Sequence, residues 1–177
     1  SSAASDVYKR QFPKGLQSTL KFKAGVEKSI PECEEIIRNL KAGYPALTGW
    51  KNETKMIAKQ KLYTETWLGR RRYLPNIRSD NWGLQSFAER CALNTPIQGT
   101  AADIIKLAMV NVYNRFKAEG LKAKLILQVH DELICECPEG ETQRVSDILR
   151  EEMSGAAKLS VPLTVDVKTG HSWAEAH

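Results

Sequence analysis

The segment Leu125-Ile-Leu-Gln-Val-His-Asp-Glu-Leu-Ile-Cys-Glu136 constrains the fold more than any other stretch of the chain. Two short apolar runs meet at His130, Asp131 and Glu132. Leu125, Leu127 and Val129 alternate with other residues before this polar tip, and Leu133 and Cys135 do so after it. A period of two with one apolar face is the pattern of pleated strands. The segment therefore predicts a hairpin that buries Leu125, Leu127, Val129, Leu133 and Cys135 on one face and turns two adjacent carboxylates toward solvent or a ligand.

Around this hairpin the spacing predicts mostly helix. Ser1 to Gln11 is small and polar without a period, and is expected to be disordered or foreign to the domain. Phe12 to Gly25 is ambiguous. Ser29-Ile-Pro-Glu-Cys-Glu-Glu supplies a capping serine, an early proline and first-turn acids for a helix that Gly43-Tyr-Pro ends. Ala46 to Lys61 has helical spacing, with Lys51, Lys55 and Lys59 along one face. Leu62 to Trp67 reads as extended, Gly69 as a break, and Arg70-Arg-Arg-Tyr-Leu-Pro as a cationic turn or strand. Asp80 or Asn81 can cap a helix through Cys91, and Thr95-Pro96 is expected to restart it with threonine as the new cap, running to Gly120. A helix over 140–157 and an alternating strand over 162–168 complete the chain. This order predicts an α+β fold, with helices packed on a small antiparallel sheet.

At 177 residues the chain has room for one domain and a core. A formal charge of +5 favours polyanionic partners without requiring them. Cys33, Cys91, Cys135 and Cys137 form no Cys-x-x-Cys pair and have no histidines at zinc spacing, so a reduced protein is expected. No apolar run approaches the ~20 residues of a membrane span, and the reading is cytoplasmic, with no membrane partner and no oligomer.

Asp131 and Glu132 are the sharpest chemical candidates, because magnesium takes oxygen ligands from rigidly supported carboxylates. Read blandly, they are a polar turn and His130 is a satisfied structural group. Arg70, Arg71 and Arg72, with the lysine face, can neutralise phosphates or simply form a solvated surface. Arg90, Asn94 and Gln98 recur every fourth residue and would share a helix face, approximately so if Pro96 kinks the helix. Gly99, where alanine would favour helix by ~1 kcal/mol, permits close approach by another helix or by the minor groove of a duplex.

Three blocks in order give the chain a family likeness. Tyr63-Thr-Glu-Thr-Trp-Leu-Gly-Arg-Arg-Arg-Tyr-Leu-Pro, Phe87-Ala-Glu-Arg-Cys-Ala-Leu-Asn-Thr-Pro-Ile-Gln-Gly-Thr-Ala-Ala-Asp and Leu127-Gln-Val-His-Asp-Glu-Leu resemble the C-terminal part of family A DNA polymerases. The resemblance implies that 12–62 is a fingers-like helical segment and 63–177 a palm-like region. It makes Asp131 a palm ligand of two catalytic magnesium ions with Glu132 as its acidic neighbour, and places Gln128 and His130 by the primer end. Arg90, Asn94 and Gln98 match duplex-contacting positions, and Arg70 to Arg72 a DNA-facing surface. The implied reaction joins deoxynucleoside triphosphates to a primer 3′-hydroxyl on primer-template DNA.

The family's other palm aspartate and its nucleotide-binding helix would precede Phe12. The chain is therefore expected to be an incomplete palm and fingers, inactive and poorly soluble alone. A non-catalytic nucleic-acid-binding protein is the alternative, and a metal-dependent phosphoesterase using Asp131 and Glu132 a third reading.

Overall fold

The computed structural model describes residues 12–176, so the expectation for 1–11 lies outside the described residues. The chain divides after Gly99 into two compact units.

Among the described residues, the first unit begins with three helices, α1 (Pro13–Ala24), α2 (Ile30–Gly43) and α3 (Pro45–Lys61). Each begins with an early proline, whose missing N–H costs nothing in a first turn. The ambiguous stretch after Phe12 is thus helical, and Gly25, at φ 65°, closes it. At Ser29 a full capping box forms: the hydroxyl accepts from the Glu32 amide while the Glu32 carboxylate accepts from the Ser29 amide. The last carbonyls of α3 accept from one guanidinium, with Arg78 Nε 2.6 Å from Lys59 O and Nη2 3.3 Å from Gln60 O.

Two short strands follow, β1 (Tyr63–Glu65) and β2 (Arg71–Tyr73), paired antiparallel with Tyr63 opposite Tyr73. Gly69, at φ 82°, makes the turn between them. Helix α4 (Trp82–Asn94) is capped by Asn81, whose Oδ1 accepts from the Gly83 and Leu84 amides. Ala58, Leu74, Ile77, Ala88, Cys91 and Ala92 form this unit's core.

Pro96 does not restart a helix. Thr95–Gly99 is a π turn, and Thr95 donates its hydroxyl back to Cys91 O at 2.8 Å instead of capping forward. The wider turn accommodates the proline without a break, which Pro-based reasoning alone does not foresee.

The second unit contains α5 (Thr100–Ala118), β3 (Lys124–Val129), β4 (Glu132–Glu136), α6 (Thr142–Ser154) and a short α7 (Trp173–Ala176). Val112, Phe116, Ala123, Val145, Ile148 and Leu149 form its core, with Leu125, Leu133, Cys135 and Val167 packed against it. The hairpin exists, but its expected single apolar face does not. The register slips between Leu125 and Leu127, so Ile126 acts as a bulge. Leu125 then faces the core across from Cys135, whereas Leu127 pairs with Ile134 and Val129 with Glu132 on the other face. Leu127 is 45% exposed accordingly.

The expected strand over 162–168 is not paired into a ladder with any described residue. Its alternation survives as burial, with Leu163, Val165 and Val167 half-buried between exposed Thr164, Asp166 and Lys168. Side-chain period reports the buried face but not whether backbone partners lie alongside.

Arg144 and Arg115 converge on Glu119, with Arg144 Nε 2.6 Å from its carboxylate. Hydrogen bonds from Arg144 and then Arg115 hold the Glu119 carboxyl at about 2. Since the folded value lies below the unfolded one, this contribution is complete above about 4.5 and is lost as pH falls toward about 2. Glu119→Gln is expected to be less stable than the parent at neutral pH and to show a flatter acid limb across that window. Urea melts at a series of pH values check this, and parallel curves for parent and variant would refute it.

Candidate functional site

The acidic tip is built by the shortest connection a hairpin allows. Val129 pairs with Glu132, leaving only His130 and Asp131 as the turn. Such turns demand a left-handed residue, and His130 supplies it at φ 54°, a conformation more tolerable for histidine than for a branched residue. Gln128 Nε2 donates to His130 O at 2.9 Å and stiffens the approach to the turn. His130, Asp131 and Glu132 lie at the surface, while Leu125, Leu133 and Cys135 anchor the strands beneath them. Burial, and secondarily Cys137, push the Cys135 thiol up to about 11, which makes it a packing group and a poor nucleophile.

Among the described residues no group of three or more His, Cys, Asp or Glu side chains could hold a metal ion. Magnesium is commonly held by one or two carboxylates plus water and substrate phosphates. The tip fits that partial role, with Asp131 on the turn itself and Glu132 at the first position of β4.

In the first unit, Arg90, Asn94 and Gln98 follow one another along α4 and the π turn. Gln98 is exposed, and Asn94 and Arg90 are half-buried. Arg90 Nη1 donates to Ser86 Oγ at 3.1 Å, and its guanidinium lies 5.6 Å from the Phe87 ring centre, folded along its own helix.

The three consecutive arginines occupy different settings. Arg70 Nη2 donates to Gly99 O at 3.0 Å. Arg71 stacks 4.6 Å from the Tyr63 ring centre and lies 3.6 Å from Glu65. Arg72 is exposed on β2. The lysine face of α3 is partly neutralised, because Lys55 and Lys59 each lie 2.8 Å from Glu89. Burial alone would raise the Glu89 carboxyl, but the two lysine hydrogen bonds outweigh it and hold it below its usual range.

Sequence reasoning missed Thr64 and Thr66. Both are buried, and Thr64 donates its hydroxyl to a carbonyl of α4. Their signal was a pair of hydroxyls two apart on a short extended segment, which places them on one face. The close neighbour that Gly99 admits is this same segment, since a Cβ there would lie 2.6 Å from Thr66 Cγ2.

Comparison with known proteins identifies the class. The structure aligns with the POL domain of Pol1 from M. smegmatis, solved in complex with DNA primer-template and dNTP. The TM-score is 0.88 at 40% identity, covering 99% of this chain and 30% of that one. A DNA polymerase I from Geobacillus stearothermophilus is 48% identical over 145 residues, and one from Pseudomonas aeruginosa is 46% identical over 153. These alignments take in 82% and 86% of this chain but only 17% and 16% of the relatives' lengths. Residues 12–175 match the family described as DNA polymerase family A, and the chain belongs to that family.

Proposed function

We propose that the chain supplies part of the polymerase site for template-directed DNA synthesis, with Asp131 as a metal-ligating carboxylate and Glu132 beside it. The observation that carries the reading is the two-residue tip of a core-anchored hairpin, which projects Asp131 free of the packing beneath. Asp131 and Glu132 would hold magnesium, which when bound polarises phosphoryl oxygens and stabilises the attacking and leaving oxygens of an in-line displacement.

The chain's own residues position the duplex. Gln98 and Asn94 can donate to minor-groove acceptors, a readout that tolerates any sequence, as a polymerase requires. Arg72, exposed on β2, can meet backbone phosphates, and Gln128 holds the backbone of His130 at the tip. Residues 12–62 would form a fingers-like segment and 63–177 a palm-like region, with primer-template DNA and deoxynucleoside triphosphates as partners. No described helix is long and apolar enough to cross a membrane.

Primer-template binding by the chain should weaken steeply as salt rises. Gln98→Ala is expected to weaken it several-fold, corresponding to about 1 kcal/mol for one lost hydrogen bond. Fluorescence anisotropy titrations measure both, and affinity unchanged in Gln98→Ala and Asn94→Ala alike would remove the minor-groove assignment.

A further inference from the structure

One short piece of chain bonds both to the helical turn that leads into the π turn and to the π turn's last residue. In an uninterrupted α-helix Ala92 O would accept from the amide of residue 96, and proline has none. Thr64, 28 residues earlier, donates its hydroxyl to that carbonyl at 3.2 Å in a buried setting. At the far end, Gly99 O accepts from Arg70 Nη2 at 3.0 Å.

Arg70 is itself fixed by Thr66. Its amide lies 3.1 Å from Thr66 Oγ1, and its carbonyl accepts from the Thr66 amide at 2.9 Å. Thr66 is 3% exposed and its methyl fills the space that a side chain at Gly99 would need. Three side chains from the strand and turn over 64–70 therefore serve the carbonyls and the surface of one helical irregularity.

A π turn carries one extra residue, so its collapse to α-helix would rotate the residues after the collapse point by up to about 100°. Gln98 sits inside the turn, and its direction depends on the turn being kept. We propose that Thr64, Thr66 and Arg70 are positioning residues that hold Thr95–Gly99 in π geometry and so aim Gln98 at the duplex. This rests on the minor-groove reading of Gln98. Arg70 on this account acts through a carbonyl of the protein and not through a phosphate.

The test compares binding of a primer-template duplex with binding of the same duplex carrying 3-deazapurines, which lack the minor-groove N3 acceptor. The parent chain should bind the modified duplex several-fold more weakly. Arg70→Ala and Gly99→Ala should each lose that discrimination. In Gly99→Ala the new Cβ collides with Thr66 Cγ2, so Gly99→Ala/Thr66→Ser, which deletes the methyl and keeps the hydroxyl, should restore it.

Arg70→Ala weakening both duplexes equally, with the salt slope falling by about one, would make Arg70 a phosphate contact and overturn the proposal. So would Gly99→Ala that discriminates as the parent does. A parent chain blind to 3-deazapurines would instead defeat the minor-groove reading. Amide exchange over 95–99 then decides the clamp by itself: acceleration in Arg70→Ala and Gly99→Ala, reversed in the double variant, supports it, and unchanged exchange overturns it.

Discussion

Asp131→Ala is expected to lower nucleotide incorporation by about a thousandfold, because a catalytic metal supplies several kcal/mol of transition-state stabilisation and each 1.4 kcal/mol is a factor of ten. The measurement requires a whole polymerase. A chimera carrying residues 12–175 in place of the matching segment of the Geobacillus stearothermophilus enzyme is suitable, given 48% identity. The loss should fall on the chemical step. Asp131 is exposed on a turn whose strands are anchored by other residues, so removing its carboxylate leaves the hairpin packing intact. Single-turnover incorporation and primer-template affinity, measured together, separate the two effects. Incorporation within about tenfold of the parent would exclude Asp131 as a ligand, since one tenfold is only about 1.4 kcal/mol.

The hairpin was legible because its ends carry a period of two and its tip is a polar break. Its bulge was not. Leu125, Ile126 and Leu127 are three apolar residues in a row, and such a run carries no phase, so the slip that turns Leu127 away from the core left no mark. The expected restart at Thr95-Pro96 failed for a different reason. A proline reads locally as a stop, whereas the hydroxyl that donates to the carbonyl four residues before it belongs to Thr64, far away in sequence.

Charge behaved similarly. Lys55 and Lys59 were visible as a helix face, but the carboxylate that occupies them, Glu89, lies on another helix. Capping, by contrast, is a local exchange of hydrogen bonds, and Ser29 and Asn81 behave as their sequence context demands. The acidic tip and three of its anchors, Leu125, Leu133 and Cys135, were legible from alternation, while the core they reach, which includes Val112, Phe116 and Ile148, is assembled by long-range packing that residue spacing does not encode.

Ile148→Ala is expected to destabilise the second unit by about 2–5 kcal/mol, the range for truncating a buried isoleucine and leaving a cavity. Ile148 is 0% exposed and sits among Val112, Phe116, Val145 and Leu149, where α5 and α6 meet. A domain of ordinary stability holds only ~5–15 kcal/mol, so the variant would stand close to its unfolding threshold. Ile148→Val removes one methyl and should cost about 0.5–1.5 kcal/mol. Ile36→Ala, at a position 42% exposed, should change stability far less. The consequence extends to the acidic tip, because Leu125, Leu133 and Cys135 reach this same core from the hairpin. Amide exchange in β3 and β4 should therefore quicken in Ile148→Ala in step with the loss measured by urea unfolding. Hairpin exchange as slow as in the parent, despite that loss, would mean that the hairpin is held independently of this core.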